Sequence, residues 1–176
     1  MQLETERLLL RELTPEDYPA LYEVLADFDI MQHYPYTFDE GRVKNWIEKN
    51  IDRYRIFGFG LWAVVHKESG RMIGDCGITM QNINGSIRPE IGYHIHRHYQ
   101  RQGYAKEAAQ KCRDWAFEKT PFLTLHSYMK KANIASSATA VSCGMRKVEE
   151  FRDDENEITV VYAITKDEWL SSHRFK

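Results

Sequence analysis

Glu90-Ile91-Gly92-Tyr93-His94-Ile95-His96-Arg97-His98-Tyr99-Gln100-Arg101-Gln102-Gly103-Tyr104-Ala105-Lys106-Glu107-Ala108 decides how the chain is read. Residues 88–96 alternate with a period of two and predict a strand. Residues 103–119 predict a helix, because Ala108, Cys112, Trp115 and Ala116 recur on one stripe. The two are joined by a short basic loop. Such a junction leaves the first peptide N–H groups of the helix unpaired, with the positive end of the helix dipole behind them, and this makes an anion site. Gly103 and Ala105 keep side-chain bulk away from the backbone there, and Arg97 and Arg101 add charge. A tight strand-to-helix turn that needs one glycine accounts for the same pattern, and spacing alone does not separate the two. Neither Gly-x-Gly-x-x-Gly nor Gly-x-x-x-x-Gly-Lys-Ser/Thr occurs, which argues against a dinucleotide or nucleoside triphosphate site.

Working outward, residues 61–66 and 71–80 also alternate. Glu68-Ser69-Gly70 and Asn84-Gly85 mark turns, so an antiparallel meander precedes the loop. On the N-terminal side, 7–13 predicts a strand, and Thr14-Pro15-Glu16-Asp17 opens a helix carrying Tyr18, Leu21, Tyr22 and Leu25. A second helix is signalled by Val43, Trp46, Ile47, Ile51 and Tyr54. The loop His33-Tyr34-Pro35-Tyr36 between them is expected to border a substrate pocket. Glu107 and Lys111 are spaced for an i,i+4 ion pair. Downstream come a strand over 123–128, a helix from Asn133 to Gly144, and a hairpin pairing 148–152 with 158–165. The order is mixed α/β, without repeats or a linker, and 1–176 is expected to be a single domain.

Lys plus Arg number 24 against 26 Asp plus Glu, a formal charge of -2, so nucleic acid is not an expected partner. The Leu8-Leu9-Leu10 run is too short for a signal core or a membrane span, and the expected compartment is the cytoplasm. Cys76, Cys112 and Cys143 are widely spaced and are expected as reduced core residues.

Gln100-Arg101-Gln102-Gly103-Tyr104-Ala105 resembles the Gln/Arg-x-x-Gly-x-Gly/Ala signature of GNAT acetyltransferases. Glu4-Thr5-Glu6-Arg7-Leu8-Leu9-Leu10-Arg11, Glu90-Ile91-Gly92-Tyr93, Asn133-Ile134-Ala135-Ser136 and Gly144-Met145 resemble the branch that contains ribosomal-protein N-terminal acetyltransferases. The resemblance implies a central, mostly antiparallel twisted sheet, splayed in the middle and flanked by about four helices, with acetyl-CoA as co-substrate and no metal. Ile95 stands where the family ends its pantetheine-binding strand. Backbone N–H groups of Tyr93, His94 and Ile95 would then hold the thioester carbonyl. Those of Gln100, Arg101, Gln102, Gly103, Tyr104 and Ala105 would hold the pyrophosphate, and Asn133 the coenzyme arm.

Attack on a thioester requires a neutral amine. An α-amine titrates near ~8 and a lysine near ~10.4, so a base is useful. Glu90 is the candidate, directly or through water; a structural carboxylate at a strand end is the alternative. The family's thiolate-protonating tyrosine would fall at Val141, so it is absent. Ser136 is the candidate donor to the sulfur, or else an ordinary first-turn helix residue. His94, His96 and His98 alternate, yet a relay or polarising role is expected before a metal site. The acids from Glu149 to Glu157, with Arg152 as counter-charge, are read either as bait for a cationic acceptor or as a solvated turn. The expected activity is acetyl transfer from acetyl-CoA to an amine acceptor by direct attack; the alternative is a non-catalytic acyl-CoA-binding module. Protein N-terminus, polyamine, amino acid and aminoglycoside all remain open as acceptors, and a homodimer is compatible with the sequence.

Overall fold

Alternation between residues 61 and 95 produces three consecutive strands at the centre of the sheet, β3 (Leu61–His66), β4 (Met72–Ile83) and β5 (Ser86–Ile95). The computed structural model describes residues 2–173. Before these strands come β1 (Gln2–Glu4) and β2 (Leu8–Arg11), and after them β6 (Thr124–Lys130), β7 (Arg146–Arg152) and β8 (Ile158–Thr165). Together they form one eight-stranded sheet in the order β1-β2-β3-β4-β5-β6-β8-β7. Every neighbouring pair is antiparallel except β5 and β6, which run parallel.

The β4–β5 hairpin closes on Asn84 at φ 49 and Gly85 at φ 78, the left-handed pair that matches strand twist. Its register runs without interruption from Ile83 opposite Ser86 to Gly74 opposite Ile95. On its other edge β5 meets β6 at a single register pair, Glu90 with His126. From Ile91 to Ile95 the strand is therefore paired on one edge only, and the sheet forks.

Helices cover both faces. A 3-10 turn (Pro15–Asp17) leads into α1 (Tyr18–Leu25), followed by α2 (Phe28–Met31) and α3 (Glu40–Phe57). Leu21, Val24, Leu25, Val43 and Ile47 bury against Ala63 and Leu13 on that face. On the opposite face α4 (Tyr104–Lys119) and α5 (Ile134–Ser142) pack Ala108, Cys112, Phe117 and Ala140 against Leu8, Trp62, Cys76, Ile91 and Leu125. The last helix, α6 (Lys166–His173), inserts Trp169 beside Phe117, with ring centroids 5.5 Å apart. All three cysteines are buried and unbridged.

Several sequence expectations need correction. The strand expected over 7–13 is the shorter β2, and β1 ahead of it was not expected; the Thr5 N–H donates to Leu8 O at 2.9 Å and closes the turn between them. The strand over 71–80 continues to Ile83, and α2 and α6 were not expected. Glu107 does not pair with Lys111. Its carboxylate takes the backbone N–H of Arg7 at 2.9 Å and the Arg7 guanidinium at 2.7 Å, joining α4 to the β1–β2 turn.

Candidate active site

The fork exposes half of the backbone of β5. His96 donates its N–H to Ile73 O at 2.8 Å, so the even-numbered peptide groups face β4. Ser127 Oγ donates to Ile91 O at 2.7 Å, and Gln100 Nε2 to Ile95 O at 2.9 Å, so the odd-numbered groups face the open edge. Of the three expected backbone donors, Tyr93 and Ile95 point into the fork. The N–H of His94 points at β4 instead, because strand geometry alternates the peptide direction.

A cleft of about 1770 Å³ passes through the fork from the start of α4 to the loop before α3. At one end Gln100, Arg101 and Gly103 of the loop and Tyr104 and Ala105 of α4 line it. The first N–H with an acceptor of the α-helical kind is that of Glu107, bonded to Gly103 O, so the N–H groups of Tyr104, Ala105 and Lys106 have none within the helix. Gly103 stands at φ 84, a conformation that favours glycine. Tyr104 contributes only its backbone, since its phenol is buried 3.0 Å from His66 Nε2. Gln102 is turned away from the cleft: its carbonyl accepts from Arg7 at 3.0 Å and its amide donates to His98 O at 2.9 Å. Arg97 is likewise occupied, by Asp27 at 2.5 Å and Asp29 at 2.9 Å, which leaves Arg101 and Lys106 as the cations at this end.

Across the fork, Asn133 caps α5 by accepting the Ser136 N–H at 3.1 Å, and the Tyr93 hydroxyl donates to Ser136 O at 2.8 Å. Asn133 and Ser136 both line the cleft. Val141, in the slot of the missing tyrosine, is exposed on α5.

On the α3 face the side chains of Glu90 and His94 project together, with Gly92 between them. Burial pushes the Glu90 carboxyl up to about 7, with Thr79 and His94 pulling in the other direction. Thr79 Oγ1 donates to Glu90 Oε2 at 3.1 Å. A Cβ on Gly92 would lie 3.2 Å from that same oxygen, so glycine leaves the carboxyl room. His94 Nδ1 is 2.7 Å from Asp75 Oδ1, and His94 Nε2 is 3.0 Å from the Tyr34 hydroxyl. Trp46 Nε1 donates to the other Asp75 oxygen at 2.8 Å. Burial draws the His94 imidazole down, but the Asp75 carboxylate more than offsets this and leaves it above its ordinary value. Tyr128, across the cleft, is raised to about 12 by burial and stays a protonated donor.

Sequence reasoning missed Asp75, Thr79 and Tyr128. A signal for two of them was available: the two-residue turn at Asn84-Gly85 sets Thr79 opposite Glu90 and Asp75 opposite His94. His96 lies outside the strand, its ring centroid 5.2 Å from that of His98. Among the described residues no three His, Cys, Asp or Glu side chains converge as a metal site. Acids of β7 and its turn are paired with cations other than Arg152, with Glu149 on Arg88 at 2.8 Å. Lys130 holds Asp153 at 2.6 Å and also Glu155, Lys131 and Lys147 hold Glu150, and Arg152 bonds Asn156.

The family model described as an acetyltransferase (GNAT) domain matches residues 7–146. The chain is 31% identical over 160 residues to the uncharacterized protein YkkB of Bacillus subtilis, covering 90% of this chain and 93% of that protein. It is 30% identical over 176 residues to an uncharacterized N-acetyltransferase of the same organism, YnaD, covering 96% and 99%. The crystal structure of an acetyltransferase from Agrobacterium tumefaciens superposes with a TM-score of 0.80 at 30% identity, covering 93% of this chain and 94% of that one.

Proposed function

The chain belongs to the GNAT acetyltransferase family and is an acetyl-CoA-dependent acyltransferase; from that premise we propose that its acceptor is a primary amine, attacking directly in a ternary complex with Glu90 as the proton acceptor. The observation that carries this reading is the position of Glu90. It stands at the one register pair where β5 and β6 still touch, it lines the cleft, and its pKa of about 7 suits a base working near neutrality.

The residues present fit acetyl-CoA as substrate. The free N–H groups at the start of α4 suit a pyrophosphate, and the open edge of β5 offers Tyr93 and Ile95 to an extended arm. The Tyr93 N–H would stabilise the oxyanion that forms when the amine attacks. Glu90 removes the amine's proton, and Ser136 is the candidate hydroxyl to meet the departing thiolate. Direct attack is supported by the cysteines. All three are buried; burial raises Cys76 and pushes Cys143 up to about 12, so neither supplies a thiolate to take the acetyl group.

Mass spectrometry of reactions containing acetyl-CoA and a panel of amines tests the reading. Acetylated amine should form with matching release of coenzyme A, while protein incubated with acetyl-CoA alone should keep its mass. An acetylated protein that passes its acetyl group to the amine would contradict direct attack. Turnover of no amine at all would contradict the reading as a whole.

A further inference from the structure

The cleft-facing row of α3 repeats at helical spacing as Arg42, Trp46, Lys49 and Arg53. Its three cations differ in surroundings. Arg42 lies over the Tyr36 ring, 4.4 Å from the centroid, and Lys49 is exposed. Arg53 is half-buried, and its Nη1 donates to Asn50 Oδ1 at 3.1 Å. Asn50 is itself fixed: it is fully buried, its Oδ1 takes the Leu61 N–H at 2.9 Å, and its Nδ2 donates to Trp46 O at 2.9 Å. The Arg53 guanidinium is thus held from behind.

Other cations of α3 have acids: Lys44 lies 3.8 Å from Glu40, and Arg55 lies 3.4 Å from Asp52. Among the described residues no carboxylate lies within ion-pair distance of Lys49 or Arg53. Burial lowers the Arg53 pKa, the mark of a cation that has lost water. On the opposite lip Asp153 and Glu155 share Lys130, and Asp154 also lines the cleft. On the α3 side of the cleft Glu90 therefore stands beside a row of cations, with the acids of the β7–β8 turn on the far lip.

We propose that the acceptor carries a carboxylate close to its amine, and that Arg53, assisted by Lys49, receives that carboxylate while Glu90 faces the nitrogen. This rests on the acetyltransferase reading of the same site and narrows it. A guanidinium fork suits a carboxylate, and bonds to it would compensate the desolvation of Arg53. A polyamine or aminoglycoside would instead meet Arg42, Lys49 and Arg53 as like charges. Two sources carry the required group, a free amino acid and a peptide whose first residue is acidic.

The test measures kcat and KM for matched acceptors with the intact enzyme, Arg53→Gln and Arg53→Lys. The acceptors are the common amino acids against their amides, Asp-initiated against Asn-initiated peptides, and spermidine. The wild type should favour the carboxylate member of at least one pair by about tenfold or more in kcat/KM, as expected for a bond between charged groups. Whichever pair shows the preference identifies the source. Arg53→Gln should abolish the preference chiefly by raising KM, with little effect on the amide, and Arg53→Lys should restore part of it. A thermal melt of each variant separates loss of recognition from loss of fold. Equal use of acids, amides and spermidine by the wild type would overturn the inference and leave acetyl transfer standing. So would an equal loss on both members of a pair in a folded Arg53→Gln. Acetylation of nothing in the panel would count against the acetyltransferase reading itself and remove this inference with it.

Discussion

At Glu90 stability and chemistry pull against each other. A carboxyl whose pKa rises from 4.5 to about 7 on folding keeps its proton in the native state after the unfolded chain has lost it. Between those values stability falls as pH rises, by at most on the order of 3 kcal/mol, since Glu90 keeps some contact with solvent. Glu90→Gln removes the titration, so the variant should melt above the wild type at pH 8, and the difference should close below pH ~4.5. Melting curves at the two pH values check this. A salt-bridged, structural Glu90 would give the opposite order at pH 8. That residue was legible because it combines strand alternation with a family pattern. Thr79 and Asp75 were not, since what makes them candidates is the residue opposite in β5. Arg53 reads in sequence as one more exposed helix cation; only the Asn50 bond and the cleft set it apart from Arg55.

Among the elements, the start of α4 bears on coenzyme binding most directly. Gly103 is a poor probe of it, because φ 84 would strain any other residue and a Cβ there would lie 3.4 Å from Arg7 Nη2. Ala105, in the first turn and lining the cleft, is cleaner. A negative charge in a first turn favours the helix but opposes a pyrophosphate. Acetyl-CoA should raise the wild-type melting midpoint by mass action. In Ala105→Glu that shift should vanish while the midpoint without ligand stays close to wild type, and Ala105→Gln should retain most of the shift. An undiminished shift in Ala105→Glu would move the phosphate site elsewhere. The long elements were legible from periodicity, with the caps and turns that bound them. The short ones were not. α2 is a single turn capped by Asp27, and α6 depends on Trp169 packing on Phe117, a contact 52 positions away that no local pattern encodes.

For the whole molecule, the site is a consequence of the forked sheet. One helical layer packs on each face, and the cleft crosses between them where β5 and β6 part. The order of elements was readable along the chain, but the fork came only through family resemblance, because neither strand carries a mark of where its neighbour leaves it. The fork brings together the parts that the proposed reaction uses: an anion cradle, an open strand edge and a half-buried carboxyl. The most direct test is turnover against pH, at saturating acetyl-CoA and with one accepted amine, for the wild type and Glu90→Gln. Wild-type kcat/KM should rise through an inflection near 7, where Glu90 ionises. The variant should lack that inflection, lose about 10²- to 10⁴-fold at low pH, and recover in part as rising pH frees the amine. A variant with the full rate and the wild-type pH profile would contradict the account.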